Sequence, residues 1–111
     1  MTRSILHRKD GTCYLCVRLG GDYRIHRQLE KHHVFPGKNR MVSDRNGLIV
    51  WLCHEHHRSS AAAVHVCHGN MLIIQQDAQR EYEKTHTRQQ WMELIGKNYL
   101  EEDEQDSIER L

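Results

Sequence analysis

Two pairs of metal-type ligands at matched spacing restrict the folds open to this chain more than any other feature. Cys13-x-x-Cys16 lies near its start and Cys53-x-x-His56 near its middle, with thirty-six residues between the halves. Two-residue spacers let paired thiolate or imidazole groups chelate from a single turn, and four such donors complete the tetrahedron of a structural zinc site. A C-x-x-C pair alone also suits a redox dithiol; the second pair makes zinc the better reading. Closing that loop clamps the start of the chain to its middle. His54 and Cys67 are alternatives to His56 as the fourth ligand.

A clamp of this kind answers a shortage of apolar area. The chain has 111 residues, 38% hydrophobic and 6% aromatic, enough for one small domain that buries a modest share of its surface. Domains of this size commonly lean on a metal or a partner to stay folded. The thiols, in a sequence with no signal-peptide h-region, point to a cytoplasmic chain using cysteine for metal rather than for disulfides. No stretch is apolar for long enough to span a bilayer, so no membrane is expected as a partner.

Charge divides unevenly. Residues 1–100 hold fifteen of the sixteen bases but nine of the fifteen acids, a balance of about +6, and residues 101–111 form an acidic tail. A basic body suits a polyanion, because cations placed on phosphates release condensed counterions; it equally suits ordinary solvated surface. The tail, nearly devoid of apolar residues, is expected to be frayed.

Between these ends the elements read in order. Residues 1–11 are a polar lead-in, and residues 12–100 form the domain. Cys13 to Cys16 is expected in a tight zinc-knuckle turn followed by the Gly20-Gly21 punctuation. Residues 24–30 are a loop or a short helix. Glu30 to Phe35 is a short strand carrying His32 and His33, and residues 36–47 are a loop rich in Gly, Pro, Asn, Asp and Ser. Leu48 to Leu52 is the most apolar run and the second strand. A helix is expected from about His57 through Ala61-Ala62-Ala63 to Val64.

Met71, Leu72, Ile74, Ala78 and Tyr82 recur on one helical face. Thr87 with Gln90 makes a capping box for a last helix, whose buried stripe is Trp91, Leu94, Ile95 and Tyr99.

Ten histidines supply a second constellation: His32 with His33, His57 and His65. Neighbours on a strand face opposite ways, so one histidine of the pair can bind metal while the other meets a substrate. His57 and His65 are eight residues apart, so joint ligation requires a helix starting near His57 or a bend before His65.

The order C-x-x-C, His-His, a Gly/Asn-rich loop, an apolar strand and then Leu52-Cys53-x-x-His56-His57 resembles the HNH nuclease family. Glu30-Lys31-His32-His33-Val34-Phe35-Pro36-Gly37-Lys38-Asn39-Arg40 and the ending Gly96-Lys97-Asn98-Tyr99-Leu100 resemble small phage-encoded members related to recombination-enhancement nucleases that depend on RecA. The resemblance covers most of residues 12–100. It implies an α+β fold, namely a small ββα-metal (His-Me finger) domain with a zinc-clamped hairpin and two C-terminal helices. It also implies endonuclease activity on DNA inside a bacterial host, with a RecA filament or another DNA-processing protein as partner.

Carried over position by position, His33 takes the general-base position, while His32, His57 and His65 are ligands of a catalytic divalent cation. That ion would be Mg²⁺, Mn²⁺, Zn²⁺ or Ni²⁺, and a structural Zn²⁺ would sit on Cys13, Cys16, Cys53 and His56. Asn46 is nearest to the family's bracing asparagine, with Asn39 and Asn70 as alternatives. His56 stands where many zinc-clamped members have cysteine. Lys38, Arg40, Arg45 and Arg58 flank the site as candidates for phosphate contacts. The rival readings are a zinc-stabilised adaptor without catalysis, and a zinc hydrolase of small molecules or peptides, against which the lack of an H-E-x-x-H motif counts.

Overall fold

The β-favouring runs on either side of residues 36–47 pair with each other. In the computed structural model, which describes residues 3–100, β1 (Glu30–His33) and β2 (Ile49–Leu52) form a two-stranded antiparallel sheet. The register places Glu30 opposite Leu52, Lys31 opposite Trp51, His32 opposite Val50 and His33 opposite Ile49. Alternation along each strand sends His32, Val50 and Leu52 to the buried face, and Lys31, His33 and Trp51 to the other.

Three expectations from composition are corrected. The Cys13–Cys16 segment is no tight knuckle turn: Cys13 caps α1 (Tyr14–Gly20) and Cys16 sits within it, and the helix stops where Gly21 adopts the left-handed region at φ 62°. Residues 36–47 are no plain loop either, since a 3₁₀ turn (Gly37–Asn39) leads into α2 (Arg40–Arg45), a run free of Gly and Pro. Buried Ser43 on α2 accepts from Phe35 N–H and donates to Phe35 C=O, both at 3.0 Å, so α2 is pinned to the chain two residues beyond His33.

The third correction follows β2. The expected helix through Ala61–Ala63 does not form. A π-helical turn (Glu55–Ser59) ends at Ser60, whose backbone is extended. The Ser60 hydroxyl donates to Glu55 C=O at 2.8 Å and accepts from Ala62 N–H at 3.2 Å. This local competition for backbone groups outweighs the helix propensity of three alanines.

The two C-terminal helices are present as α3 (His68–Tyr82) and α4 (Arg88–Ile95), the latter opened by the expected Thr87/Gln90 capping box. Trp91 is fully buried, edge-on to Phe35 at 5.4 Å, and its indole N–H donates to Lys97 C=O at 2.8 Å. Buried Gln79 accepts from Tyr99 N–H at 2.7 Å and donates to Asn98 at 2.9 Å, fastening residues 98–99 to α3. Tyr14 and Arg18 of α1 both reach Asp77 of α3, at 2.8 and 3.0 Å.

The polar lead-in is also part of the packing from Arg3 onward. Ile5 N–H donates to Gly47 C=O, the Ser4 hydroxyl to Ile49 C=O, and Leu6 packs on the core. The result is a small α+β arrangement of a two-stranded sheet and several helices. The acidic tail lies outside the described residues, and among those described no helix is long and apolar enough to cross a membrane.

Candidate metal centres

The thiol cluster is assembled by three local structures. The start of α1 presents Cys13 and Cys16, the end of β2 presents Cys53, and the π-helical turn presents His56. His56 Nδ1 lies 3.5 Å from Cys13 Sγ, 3.4 Å from Cys16 Sγ and 3.5 Å from Cys53 Sγ, and the Cys16 and Cys53 sulfurs are 4.0 Å apart. A tetrahedron with ordinary Zn–S and Zn–N bond lengths has S···N edges of about 3.5 Å and S···S edges of about 3.8 Å. The donor set therefore fits a tetrahedral ion and can hold a metal such as zinc.

Cys13 and Cys53 are buried and Cys16 is half-buried. Burial, together with the neighbouring Cys13 and Cys53 thiols, pushes Cys16 up to about 12. Burial also pushes Cys53 up. Cys16 and Cys53 thus resist ionising in this crowded setting, and a bound cation reverses that preference. Of the alternative fourth ligands, His54 turns to Glu30 at 2.8 Å, and Cys67 sits at the N-cap of α3 apart from the cluster.

His32, His57 and His65 form a second cluster, with ligating atoms within 4.8 Å of one another. β1 supplies His32, the π-helical turn supplies His57, and the bend after Ser60 returns the chain to bring in His65. His57 Nε2 and His65 Nε2 are 3.1 Å apart, close to the about 3.3 Å separating two imidazole nitrogens on one zinc ion. The Glu30 carboxylate accepts from His57 Nδ1, which leaves the other ring nitrogen of His57 directed into the cluster with its lone pair.

His32 Nε2 is buried and, among the described residues, has no hydrogen-bond partner. An orphaned nitrogen of this kind is uncommon, because leaving it unpaired costs about 1–3 kcal/mol. Burial, then the neighbouring His57 and His65, depresses His32 to about 3, and burial also lowers His65. Both rings are therefore neutral near pH 7, the form that ligates metal.

His33 opens onto the same cleft of about 250 Å³ as the triad, although it belongs to the other face of the strand. β1 ends at His33, and the chain then turns into the 3₁₀ segment. Its Nε2 lies 3.5 Å from Asp44 Oδ1 of α2. Burial and the nearby Arg40 and Lys31 cations hold it below the ordinary histidine range.

Arg40 and Arg58 line the histidine cleft, and Arg45 lines a neighbouring one that also includes His33. Lys38 is exposed on the 3₁₀ turn.

The asparagines take separate places. Asn46 ends α2, donating to Val42 C=O at 2.8 Å, and lines a cleft with Tyr82 and His86 rather than the histidine cleft. Asn39 donates to Ile95 C=O at 3.3 Å, tying the 3₁₀ turn after β1 to α4, and Asn70 donates to Ala62 C=O at 2.8 Å, bracing the segment that carries His65.

Sequence reasoning missed Glu30, which joins His54, His57 and Arg58, and Asp44, which joins Lys31 and His33. No motif marks either, since each acts through a partner at least 11 residues away, as in the Asp44–His33 pair. No protein-family model, curated protein or solved structure matches this chain.

Proposed function

We propose that the protein is a metal-dependent endonuclease of the HNH type that hydrolyses DNA phosphodiester bonds. The observation that carries this reading is a three-imidazole cluster with an unpartnered buried nitrogen, opening onto one cleft with a fourth, neutral histidine and two arginines. A purely structural site has no use for the additional ring of His33. The fold assignment to the ββα-metal class, and the structural role of zinc on Cys13, Cys16, Cys53 and His56, belong to the same proposal.

Each residue has a part in the chemistry. His33, held neutral, takes a proton from a water in the cleft as that water attacks phosphorus. Asp44 beside its ring steadies the imidazolium that results. Arg40 and Arg58 hold the phosphate, with Lys38 and Arg45 on flanking phosphates. As the water oxygen bonds to phosphorus, the bond to the 3′ oxygen breaks.

His32, His57 and His65 would hold a divalent cation, and the chemistry such an ion supplies when bound is stabilisation of charge on the phosphoryl and leaving oxygens. Three imidazoles favour Zn²⁺ or Ni²⁺ in affinity, while cellular abundance favours Mg²⁺.

Nicking of supercoiled plasmid in Mg²⁺ or Mn²⁺ tests the proposal. Wild type converts plasmid to open circles, and His33→Ala keeps its fold and its metal but loses at least about 100-fold in rate. Wild type that stays inactive with every common divalent ion, with RecA filaments present as well, removes the nuclease reading in favour of a zinc-stabilised adaptor.

A further inference from the structure

A second cleft, of about 610 Å³, lies where the N-terminal segment crosses the sheet, and it is lined by Arg3, His7, Arg8, Lys9 and Trp51 among others. Arg3, Arg8 and Lys9 are exposed, and among the described residues none of them pairs with an acid. Trp51 is half-buried, with the Lys9 ammonium 5.6 Å from its ring centre and the His7 ring edge-on at 6.0 Å.

This cleft and the histidine cleft share no lining residue, but residues of both lie on one face of the sheet. Trp51 pairs directly with Lys31, and Lys31 also lines the cleft of His33. His33 is two residues along β1, on the same face of the sheet. Diagonal neighbours in such a ladder are about 7–8 Å apart. An accessible indole with three unpaired cations beside it is the combination that holds an unpaired base and its phosphates, because every base has a face to stack and every nucleotide a charge.

We propose that Arg3, Arg8, Lys9 and Trp51 form a subsite for single-stranded nucleic acid, with one base stacked on Trp51 and the strand running over Lys31 toward His33. The cleft can act on a strand only where bases are already unpaired or are opened at the site, so the substrate class is single-stranded or locally melted DNA. This deepens the nuclease reading and rests on it for the direction of the strand, though not for the binding itself.

Titration with a short oligothymidylate, without added divalent ions, tests it through tryptophan emission. Trp91 is fully buried, so a stacking base quenches Trp51 alone. Wild type should be quenched on binding, and a duplex of equal length should bind more weakly and quench less. Trp51→Ala should lose the quench and bind on the order of tenfold more weakly. Trp51→Phe, which keeps a ring and controls for any disturbance of the fold, should also lose the quench but bind with an affinity between those of wild type and Trp51→Ala. Arg8→Ala with Lys9→Ala should lower the salt slope of binding by about 1.4.

Unchanged affinity in both tryptophan variants, or a wild type that binds duplex more tightly and without quenching, overturns the subsite. Quenching and strand binding that persist in a protein unable to nick plasmid uphold the subsite while removing the nuclease reading.

Discussion

His56 and His57 are consecutive residues that belong to two different clusters. His56 Nδ1 faces three thiols at 3.4–3.5 Å, and His57 Nε2 faces His65 Nε2 at 3.1 Å. Consecutive residues on one helical turn point in different directions, so the π-helical turn sends the two rings to separate clusters. The thiol cluster thus sets the position of the turn that delivers His57.

That relationship predicts unequal responses to ligand loss. Cys53→Ser should release metal from the thiol cluster, lower the thermal midpoint and weaken ion binding at the imidazole cluster too. His65→Ala should leave the thiol cluster loaded and the fold intact. Metal analysis of the purified protein should find about two ions per chain in wild type and one in His65→Ala. A His65→Ala protein that loses both ions contradicts the hierarchy.

Glu30 should behave as a positioning residue. Its carboxylate holds His57 Nδ1, and the hydrogen bonds from His57 and His54 keep the carboxyl below its usual range. Glu30→Gln should weaken Mn²⁺ or Co²⁺ binding at the imidazole cluster by about 10–100-fold without unfolding the protein. Glu30→Ala should do no less. Equal affinity in wild type and Glu30→Gln, by calorimetric titration, removes this role.

His7 predicts a pH dependence of stability. Its Nδ1 accepts from Trp51 N–H at 3.1 Å, its Nε2 lies 3.3 Å from the Thr12 hydroxyl, and Thr12 in turn donates to Asp10 at 2.6 Å. Burial lowers His7 below 6.5, with Asp10 pulling weakly the other way. A group depressed on folding binds fewer protons in the native state, so its contribution is complete above 6.5 and is lost as pH falls through the native value. The thermal midpoint should decline below pH 6.5, and less steeply in His7→Gln. Parallel declines in the two proteins would remove His7 as a source.

Gly47 predicts a steric failure. Its φ is +70°, and a Cβ there would lie 2.3 Å from Arg3 C=O. The left-handed conformation alone disfavours alanine by about 1–2 kcal/mol, and the contact adds to this. Gly47→Ala should lower the denaturation midpoint by at least that much and raise proteolysis of the first ten residues. An alanine variant as stable as wild type shows that the N-terminal segment is not held against this turn.

Residue type and spacing made the candidate ligand residues legible. Cys13/Cys16 with Cys53/His56, and His32 with His57 and His65, could be grouped from sequence because ligation limits residue type and local separation. The first strand was legible from partial alternation and the Pro36-Gly37 that ends it, the second from its apolar run, and the last helix from Thr87 and Gln90.

What escaped depends on contacts between distant segments. α2 lies in a stretch whose Asn, Asp, Ser and Gly content suggests a loop, and its buried Ser43 bonds to Phe35 eight residues earlier. Ala61–Ala63 has high helix propensity, yet Ser60 redirects the backbone. Glu30 and Asp44 look like solvated charges until the fold sets histidines beside them. The packing of Ser4 and Ile5 on the hairpin is likewise invisible in a segment dominated by polar residues.

The sharing of one five-residue turn by both clusters changes what a chelator experiment means. With both clusters loaded as proposed, a reagent that strips a sulfur-bound ion would also slacken the arm carrying His57, so inhibition by chelation would report the loss of either ion in the same way. Readdition in sequence would separate them: zinc first to rebuild the arm, then manganese or magnesium to restore the proposed turnover.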